Sequence, residues 1–346
     1  MLSELYDPPY LLDELKIEVT RECLFNCIHC SSHGSPGGSD ELEFTRVQEL
    51  IDESKELGIS KVVFSGGEPL LWPSILDVIS HASHLGIDTC IYTTGRHSPE
   101  DYENGFSKEL RRAKLNRAIF CVYGRERAYE KITRIGRSYQ QTISKIRDFQ
   151  ANGIEIEFHF VAMKINFREL SHVVNFAKDL GINKLSILRF VPHGRGALLK
   201  KSMTLSGPEN LELRDAIRRA RQTNPSVEIR LGSPYNFLIL ERNVFCKAGI
   251  NTLIITPDGS AYPCDAFKNY KSSDNDSIYL KSLKDIWNNS HLCQMTRAYL
   301  SSEPYDECQQ CIYFDLCKSG CLAQKVIANN GFNKDKDPDC MAELVI

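Results

Sequence analysis

Cysteine placement is the feature that most restricts what this chain can fold into. Eleven of its 13 cysteines fall into two groups. The first is the triplet Cys23, Cys27 and Cys30, with the spacing C-x3-C-x2-C, directly after an apolar run; the second extends from Cys246 to Cys340. A [4Fe–4S] cluster normally takes four thiolates, so a set of three leaves one iron open to a substrate or cofactor. The triplet therefore predicts an iron–sulfur site with one free position.

Length, charge and targeting signals narrow the class of protein. The chain has 346 residues, enough for two domains with ample core. Its net charge of -3 and pI of about 6.3 argue against a broad nucleic-acid-binding surface. The start of the chain lacks a secretory signal pattern, and no apolar run approaches a membrane span. We expect a cytoplasmic protein with no DNA or membrane partner, whose clustered thiols are metal ligands or catalytic groups.

The first two thirds of the chain alternate between strand and helix patterns. Helical periodicity ending at a glycine recurs four times, over Phe44–Leu57, Trp72–Leu85, Ser138–Asn152 and Arg168–Leu180. The predicted strands are Leu15–Thr20, Lys61–Phe64, Asp88–Tyr92, Leu115–Val122, Glu155–Ala162 and Lys184–Phe190. Six β-α units in series predict an α/β fold, a partial (β/α)6 TIM-like barrel with a parallel sheet covered by helices.

The last third has a different character, beginning near residue 232. It is rich in Pro, Gly, Asn, Asp and Cys, with a predicted hairpin over Thr252–Thr256 and Ala261–Pro263. Short helices are predicted over Leu283–Asn288 and Lys318–Ala328. So little apolar material favours metal centres in place of a large core. We divide the chain into an extension (1–13), the barrel (14–200), a bridging helix and linker (201–240) and a small Cys-rich domain (241–346).

The polar and glycine-rich segments of the first part share a position. The triplet follows the first strand, Ser65-Gly66-Gly67-Glu68-Pro69 the second, and Thr93-Thr94-Gly95 the third. In parallel β/α folds the active site lies at the carboxyl ends of the strands. The sequence therefore predicts that these loops meet on one face.

The triplet and Gly66-Gly67-Glu68-Pro69 together resemble the radical S-adenosylmethionine (AdoMet) superfamily, over about residues 14–196. The resemblance implies that Cys23, Cys27 and Cys30 hold three irons of a [4Fe–4S] cluster and that AdoMet chelates the fourth. It implies that Gly66, Gly67 and Glu68 receive the methionine amino group of AdoMet. It also implies an activity, the release of a 5′-deoxyadenosyl radical that removes a hydrogen atom from substrate. The alternative for the triplet is a zinc site or chance thiols.

Other positions carry the resemblance with an open alternative. Cys121-Val-Tyr-Gly124 is similar to a family Ser-Leu-Asp-Gly segment whose Ser touches AdoMet, and Cys121 replaces that Ser; the alternative is a buried strand thiol. Arg134 lies where similar proteins pair an Arg with the methionine carboxylate; the alternative is a solvated Arg. His29 is interpreted as a packing residue. For Arg195, ligand contact and a solvated turn both stay open.

The C-terminal cysteines resemble the SPASM extension of radical enzymes that mature peptides and proteins. The resemblance implies two auxiliary iron–sulfur clusters, of the [4Fe–4S] type. One would use Cys308, Cys311, Cys317 and Cys340. The other would use Cys246, Cys264 and Cys321, which is one ligand short, so its iron is open or another group fills the place. Cys293 is the nearby free candidate, with a structural helix thiol as the alternative.

Asp265, which follows Cys264, lies where sulfatase-maturating relatives carry a catalytic base; the alternative is a solvated turn residue. We predict a radical AdoMet enzyme that removes a hydrogen from a peptide or protein and forms a crosslink in a ribosomally made peptide. Formylglycine maturation, small-alcohol dehydrogenation and an electron-transfer or binding scaffold are the alternatives. Expected partners are the substrate and a reductant such as flavodoxin or ferredoxin. Because 22 residues precede Cys23, too few for a leader-binding domain, we expect a separate leader-recognition protein or leader-independent binding.

Overall fold

The computed structural model describes residues 9–98, 105–242, 244–268, 270 and 276–342. Its central element is one nine-stranded sheet with the order β7-β6-β5-β4-β3-β2-β1-β8-β9. The strands are β1 (Glu14–Thr20), β2 (Lys61–Gly66), β3 (Asp88–Thr93), β4 (Arg117–Cys121), β5 (Glu155–Ala162), β6 (Lys184–Arg189), β7 (Glu228–Leu231), β8 (Thr252–Ile255) and β9 (Ala261–Tyr262). All neighbouring strands pair in parallel except β8 and β9.

Helices connect the parallel strands and cover the outer face of the sheet. Those of the barrel are α1 (Phe44–Glu56), α2 (Ile75–His84), α3 (Phe106–Arg112), α4 (Glu126–Thr133), α5 (Ser138–Ala151), α6 (Leu170–Asp179), α7 (Lys200–Met203), α8 (Gly207–Thr223) and α9 (Asn236–Ile239). The C-terminal part adds α10 (Leu283–Asn289), α11 (His291–Ser301), α12 (Asp306–Gln309), α13 (Phe314–Cys317) and α14 (Leu322–Asn329). Among the described residues, none of these helices is long and apolar enough to cross a membrane.

Side-chain alternation along the strands separates the core from the barrel interior. In β1 the side chains of Leu15, Ile17 and Val19 are fully buried in the main core, under the helices. Lys16 and Glu18 point to the opposite face, because successive residues of a strand alternate between faces. The interior of the barrel is therefore polar at this strand. Lys16 lines a cavity at the carboxyl ends of the strands.

The six predicted strands and their parallel order are confirmed, so the partial-barrel prediction is right. The structure adds β7 beside β6, within the segment 201–240 that the sequence assigned to a helix and linker. It also adds β8, the first strand of the predicted hairpin, in parallel beside β1. The Cys-rich part thus continues the barrel sheet, which the sequence pattern did not reveal.

One predicted helix begins later than expected. The interval Lys318–Ala328 was predicted as helical throughout, but α14 begins at Leu322. Lys318, Ser319 and Gly320 have φ angles of 54, 63 and 76°, in the left-handed region that a right-handed helix cannot include. This left-handed run turns the chain between Cys317 and Cys321, which the sequence assigned to different clusters.

Candidate functional site

A cavity of about 290 Å³ opens at the carboxyl ends of the strands, where the predicted loops meet. Its walls come from three sources: the triplet loop, the loops after β2, β3, β4 and β6, and the segment after β9. Its lining includes Lys16, Cys23, Cys27, His29, Cys30, Gly66, Gly67, Cys121, Arg195 and Asp265. The structure therefore brings the triplet, the glycine pair, Cys121 and Asp265 together around one cavity.

Burial and mutual proximity shape the three thiols of the triplet. Burial raises the pKa of Cys27 well above its ordinary value, and the neighbouring Cys30 and Cys23 raise it further. Burial also raises the pKa of Cys23. Three thiols this close and this desolvated favour a cationic group that would bind them as thiolates. In the part of the chain that the structure describes, no three His, Cys, Asp or Glu side chains converge on one point as ligands of a single ion do. The donor set suits a multi-iron cluster better than one zinc ion.

Arg195 holds the triplet loop in place. Its Nε donates to the carbonyl of Cys27 at 2.9 Å and its Nη2 to the carbonyl of Gly34 at 2.7 Å. The backbone N–H of Arg195 donates to the carbonyl of Cys30 at 3.0 Å. The sequence left Arg195 open between a ligand contact and a solvated turn, and it is instead a clamp on the cysteine loop. The guanidinium can span two carbonyls in this way because it carries a rigid fork of donors, and the backbone N–H adds the third contact.

The glycine pair after β2 is required by a close approach of two backbone segments. Gly66 has φ +122°, and a Cβ on it would meet the carbonyl oxygen of Thr20 at 2.4 Å. A Cβ on Gly67 would meet the carbonyl oxygen of Glu22 at 2.1 Å. The N–H of Gly67 donates to Thr20 at 2.7 Å, so this loop is fixed against the start of the triplet loop. Both glycines line the cavity, which places their backbone where the predicted AdoMet contact requires it.

Glu68 differs from its prediction in how its carboxylate is used. Its side chain is fully buried, accepting from Thr93 Oγ1 at 2.7 Å, from Thr94 N and Oγ1 at 2.6 Å each, and from Leu70 N at 3.1 Å. Burial raises the pKa of Glu68 against the opposing effect of these hydrogen bonds. The carboxylate orders the loop after β3 and is not among the cavity-lining groups. A contact between Glu68 and a cofactor amino group is therefore left to its backbone.

Cys121 and Arg134, the two further positions of the family resemblance, lie in different surroundings. Cys121 lines the cavity at the end of β4, and burial raises the pKa of its thiol. Arg134 is exposed, at the left-handed residue that ends α4, and does not line the cavity. The prediction of a carboxylate contact for Arg134 therefore lacks support from its position. His29 is confirmed as a packing residue: its ring meets Tyr123 edge-on at 5.0 Å, and burial lowers its pKa to about 4.

A chain of charges links the barrel to the segment that follows Cys264. Asp265 Oδ1 lies 2.8 Å from Lys16 Nζ and 3.3 Å from Lys268 Nζ. Lys268 Nζ also contacts Glu18 Oε1 at 2.7 Å, with side chains 4% and 1% exposed. Desolvation by the surrounding protein would raise the pKa of Asp265, but the two ammonium groups outweigh it and hold that pKa well below its usual value. Asp265 is a paired carboxylate facing the cavity, which makes it a weak proton acceptor.

Sequence reasoning missed Lys16, Lys268 and Glu18. Lys16 and Glu18 alternate with the core residues of β1, so a polar face of a buried parallel strand was the available signal. Lys268, three residues after Asp265, carried no such signal. Its partner Glu18 is distant in sequence and becomes a neighbour only through the pairing of β8 with β1.

The three cysteines of the incomplete auxiliary set come together as predicted. Cys246, Cys264 and Cys321 belong to one buried cluster of side chains. Burial raises the pKa of Cys246 to about 12, and the proximity of Cys321 adds to this effect. For Cys264, burial raises the pKa and both other thiols raise it further. Cys293 is fully buried but packs in the main core, where its Sγ lies near Ser290. The structural alternative for Cys293 is therefore favoured over a ligand role.

The predicted four-cysteine set lies in the last part of the chain, and its thiols affect one another's pKa. Burial raises the pKa of Cys317 to about 12, with Asp337, Cys340 and Cys308 as further contributors. Cys308 and Cys311 share a turn, in which the N–H of Cys311 donates to the carbonyl of Cys308 at 3.2 Å. These thiols fit a second cluster in the same way as the first set.

The fold and the site together define a class: a partial β/α barrel enzyme with an iron–sulfur site at its strand ends and a Cys-rich extension that holds further clusters. The comparisons give the family. The "Radical SAM superfamily" model matches residues 17–177, and the model for the SPASM "iron-sulfur cluster-binding domain" matches residues 246–312. The chain belongs to the radical SAM enzymes with a SPASM domain, whose cofactors are AdoMet and iron–sulfur clusters.

Known proteins are similar to the chain along most of its length. The PqqA peptide cyclase of Xanthomonas oryzae pv. oryzae is 24% identical over 96% of this chain and 88% of its own length. The AdoMet-dependent heme synthase of Methanosarcina barkeri is 22% identical over 94% of this chain and 95% of its own. Among solved structures, Streptococcus suis SuiB bound to S-adenosylmethionine superposes with TM-score 0.79 at 16% identity, covering 97% of this chain and 79% of SuiB. SuiB has also been solved bound to its precursor peptide SuiA.

Proposed function

We propose that this enzyme removes a hydrogen atom from a side chain of a ribosomally made peptide and forms a crosslink in it. The observation that carries the proposal is the position of the cavity. One wall is the triplet loop, and another is Asp265 and Ala266, immediately after the auxiliary ligand Cys264. A reacting group in this cavity lies between the radical-generating site and an auxiliary cluster. The similarity to a PqqA peptide cyclase and to SuiB supports a peptide as the substrate.

The cavity is small for the groups that would share it. At about 290 Å³ it is at the small end of ligand pockets, which are roughly 300–1,000 Å³, and the cluster and AdoMet would take part of this space. A peptide can present one side chain to the remainder while its backbone stays outside. The similarity to a PqqA peptide cyclase and to SuiB makes a peptide the substrate class we propose.

Different residues of the site would bind the cofactors, position the cysteine loop and orient the substrate. The triplet cysteines, Gly66 and Gly67 would hold the cluster and AdoMet, which supply a 5′-deoxyadenosyl radical when bound. Arg195 keeps the cysteine loop against the cavity. Lys16 and Asp265 present a fixed pair of charges to the substrate. Crosslinking two C–H or heteroatom–H groups removes two hydrogens. One would go as an atom to the radical. The other would leave as a proton and an electron, and an auxiliary cluster would be the acceptor of that electron.

The ion pairs of Asp265 favour crosslinking over formylglycine formation as the proposed reaction. A catalytic base with a pKa held low by Lys16 and Lys268 takes up a proton poorly. We therefore assign Asp265 to substrate orientation. Under this assignment Asp265→Asn raises the KM for the peptide while changing AdoMet cleavage little. If Asp265 were the catalytic base, the same variant would instead lose turnover, with an unchanged KM and a shifted pH profile.

The proposal is tested with the anaerobically purified holoenzyme, dithionite and candidate precursor peptides. We expect 5′-deoxyadenosine, and a peptide lighter by two hydrogens. Deuterium at the reacting carbon is expected to appear in 5′-deoxyadenosine. Cys27→Ala should abolish AdoMet cleavage, and Cys293→Ala is the matched control that should retain it. Cleavage that survives Cys27→Ala would refute the mechanism.

Two partners and a location belong to the same proposal. Each AdoMet cleavage consumes one electron, so the enzyme needs a reductant such as flavodoxin or ferredoxin. Because the proposed substrate is a ribosomally made peptide, a separate leader-recognition protein would be a second partner. We place the enzyme in the cytoplasm because its clustered thiols need a reducing compartment.

A further inference from the structure

The helix that supports the triplet loop carries basic residues on its outer face. α4 packs its inner face, Tyr129 and Ile132, into the same buried cluster as Phe25 and Ile28 of the triplet loop. The N–H of Ile28 donates to the carbonyl of Ile132 at 2.9 Å. These contacts place the helix directly between the cysteine loop and the solvent.

The N–H of Asn26 also donates to the carbonyl of Thr133, at 3.1 Å. Carbonyls at the end of a helix have no partner within the helix, and here the cysteine loop supplies their donors. One helix, about 10 Å across with its side chains, therefore separates the loop from the surface.

The outward side of this helix and of the turn after it forms what we call the α4 surface: Arg127, Lys131, Arg134 and Arg137, all exposed. Arg127 and Lys131 follow the spacing i, i+4, which places them on one helix face, and Arg134 and Arg137 lie in the turn that follows. Arg134 and Arg137 both have φ +61°, an uncommon conformation for a residue with a side chain. The turn that carries them is fixed by a hydrogen bond of 2.8 Å between Thr133 Oγ1 and Ser138 Oγ.

The local charge of this region is positive, although the protein as a whole is acidic. The segment from Arg125 to Arg137 holds five basic and two acidic residues, in a chain whose net charge is -3. Arg125 is paired with Glu169, at 2.9 Å, and Glu130 is half-buried. The four residues of the α4 surface remain directed at solvent, as a basic patch on an acidic protein. Such a patch steers and orients a partner of opposite charge.

We infer that the α4 surface is the docking site of an acidic one-electron carrier protein of the flavodoxin type. The inference rests on the proposed function, which requires an electron for each AdoMet cleavage. A carrier bound there has its redox group separated from the triplet loop by a single helix. In the transfer step the carrier loses one electron and the cluster held by the triplet gains it, and no bond forms or breaks. Charge complementarity selects an acidic carrier over a basic one.

The test uses the holoenzyme with two reductants, flavodoxin kept reduced by NADPH and its reductase, and dithionite. The variant is Arg127→Glu/Lys131→Glu/Arg137→Glu, which reverses three of the four charges of the α4 surface. The matched control is Arg218→Glu/Arg219→Glu, on the exposed side of α8. We expect the flavodoxin-driven rate of 5′-deoxyadenosine formation to fall at least tenfold in the variant. The dithionite-driven rate and the iron content should match those of the wild type and the control.

Two further readouts do not depend on turnover. The affinity of the holoenzyme for oxidised flavodoxin should weaken at least tenfold in the variant, and in the wild type it should fall as salt is added. Carbodiimide treatment should join Lys131 to a flavodoxin carboxylate, identified by mass spectrometry. Flavodoxin-driven cleavage and binding equal to wild type would overturn the inference, as would an equal loss in the control. Loss of peptide modification alone, with both cleavage rates intact, would assign the surface to substrate and also overturn it. Absence of cleavage with dithionite in the wild type would refute the proposed function itself.

Discussion

The most informative perturbation in this structure is the removal of a buried charge that joins the barrel to the C-terminal segment. Arg189, at the end of β6, donates from Nη1 to Asp337 Oδ2 at 2.8 Å and from Nη2 to Asp337 Oδ1 at 2.7 Å. The two side chains are 5% and 1% exposed. Asp337 also accepts from the backbone N–H of Cys321 at 2.9 Å. The pair therefore connects the cavity wall to Cys321, which is predicted to be a ligand of an auxiliary cluster.

The expected loss of unfolding free energy depends on which buried charge each variant leaves without its partner. Removing one partner of a buried ion pair costs about 3–5 kcal/mol, because an uncompensated charge stays buried. In Asp337→Asn, Arg189 keeps the carboxylate of Asp339, 2.6 Å from Nη2, and the carbonyl of Pro234 at 3.1 Å. We expect that variant to lose about 2–3 kcal/mol of unfolding free energy, below the full range. In Arg189→Met, Asp337 loses its cation and the full range applies.

Urea unfolding of the anaerobic holoenzyme measures both variants, followed by circular dichroism and by cluster absorbance, with iron per chain determined separately. The double variant Arg189→Met/Asp337→Asn should cost less than the sum of the singles, by about 1 kcal/mol or more, because the partners are in contact. Glu212→Gln, which breaks the exposed pair with Arg168, is the control and should change nothing measurable. Single effects under about 0.5 kcal/mol, or strictly additive ones, would refute the reasoning.

Three further outcomes test the site and its surroundings. Arg195→Met should lower the iron bound at the triplet several-fold by freeing the loop, Arg195→Lys should restore it only in part, and iron content equal to wild type would contradict the clamp. Gly67→Ala should abolish AdoMet cleavage because its Cβ has no room, whereas Gly331→Ala, whose Cβ would have only a 3.9 Å neighbour, should retain it; an active Gly67→Ala would show that the loop can yield. Burial lowers the pKa of His193 to about 4, so the unfolded chain binds more protons between about pH 4 and 6.5 and stability falls as pH falls through that window. Urea unfolding at pH 5 and 7.5 should show wild type losing about 2 kcal/mol more than His193→Gln, and equal losses would contradict the burial argument.

The barrel could be predicted because its signals are local. Strand β1 alternates apolar core residues with Lys16 and Glu18, and the helices end at glycines that their own sequence supplies. α4 was missed because its apolar positions, such as Tyr129 and Ile132, are too few for a periodic pattern in eight residues. β7 was missed because it has four residues. Short elements are decided by tertiary packing, which propensity does not encode.

The site was predictable where a motif carried it, and less so where partners come from distant segments. The cysteine sets and the glycine pair follow from spacing, and the structure brings them to the cavity and its neighbourhood. The roles of Glu68 and Arg195 did not follow, since a buried carboxylate that orders a loop and a guanidinium that clamps carbonyls have no sequence signature. Both depend on which backbone groups are left without partners, and that is known only once the loops are placed.

The pairing of β8 with β1 explains why the Cys-rich part behaves as a wall of the cavity. β8 extends the barrel sheet by pairing with β1, and β9 pairs with β8, so Cys264 and Asp265 follow directly after a strand of that sheet. Lys268 then reaches Glu18 on the interior face of β1, and the ion pair is buried. At the other edge, Arg189 on β6 holds Asp337. The distance between the triplet and the auxiliary cysteines is therefore fixed by one continuous sheet with an ion pair near each side. Under the proposed function, this distance is the one that an electron leaving the substrate would have to cross.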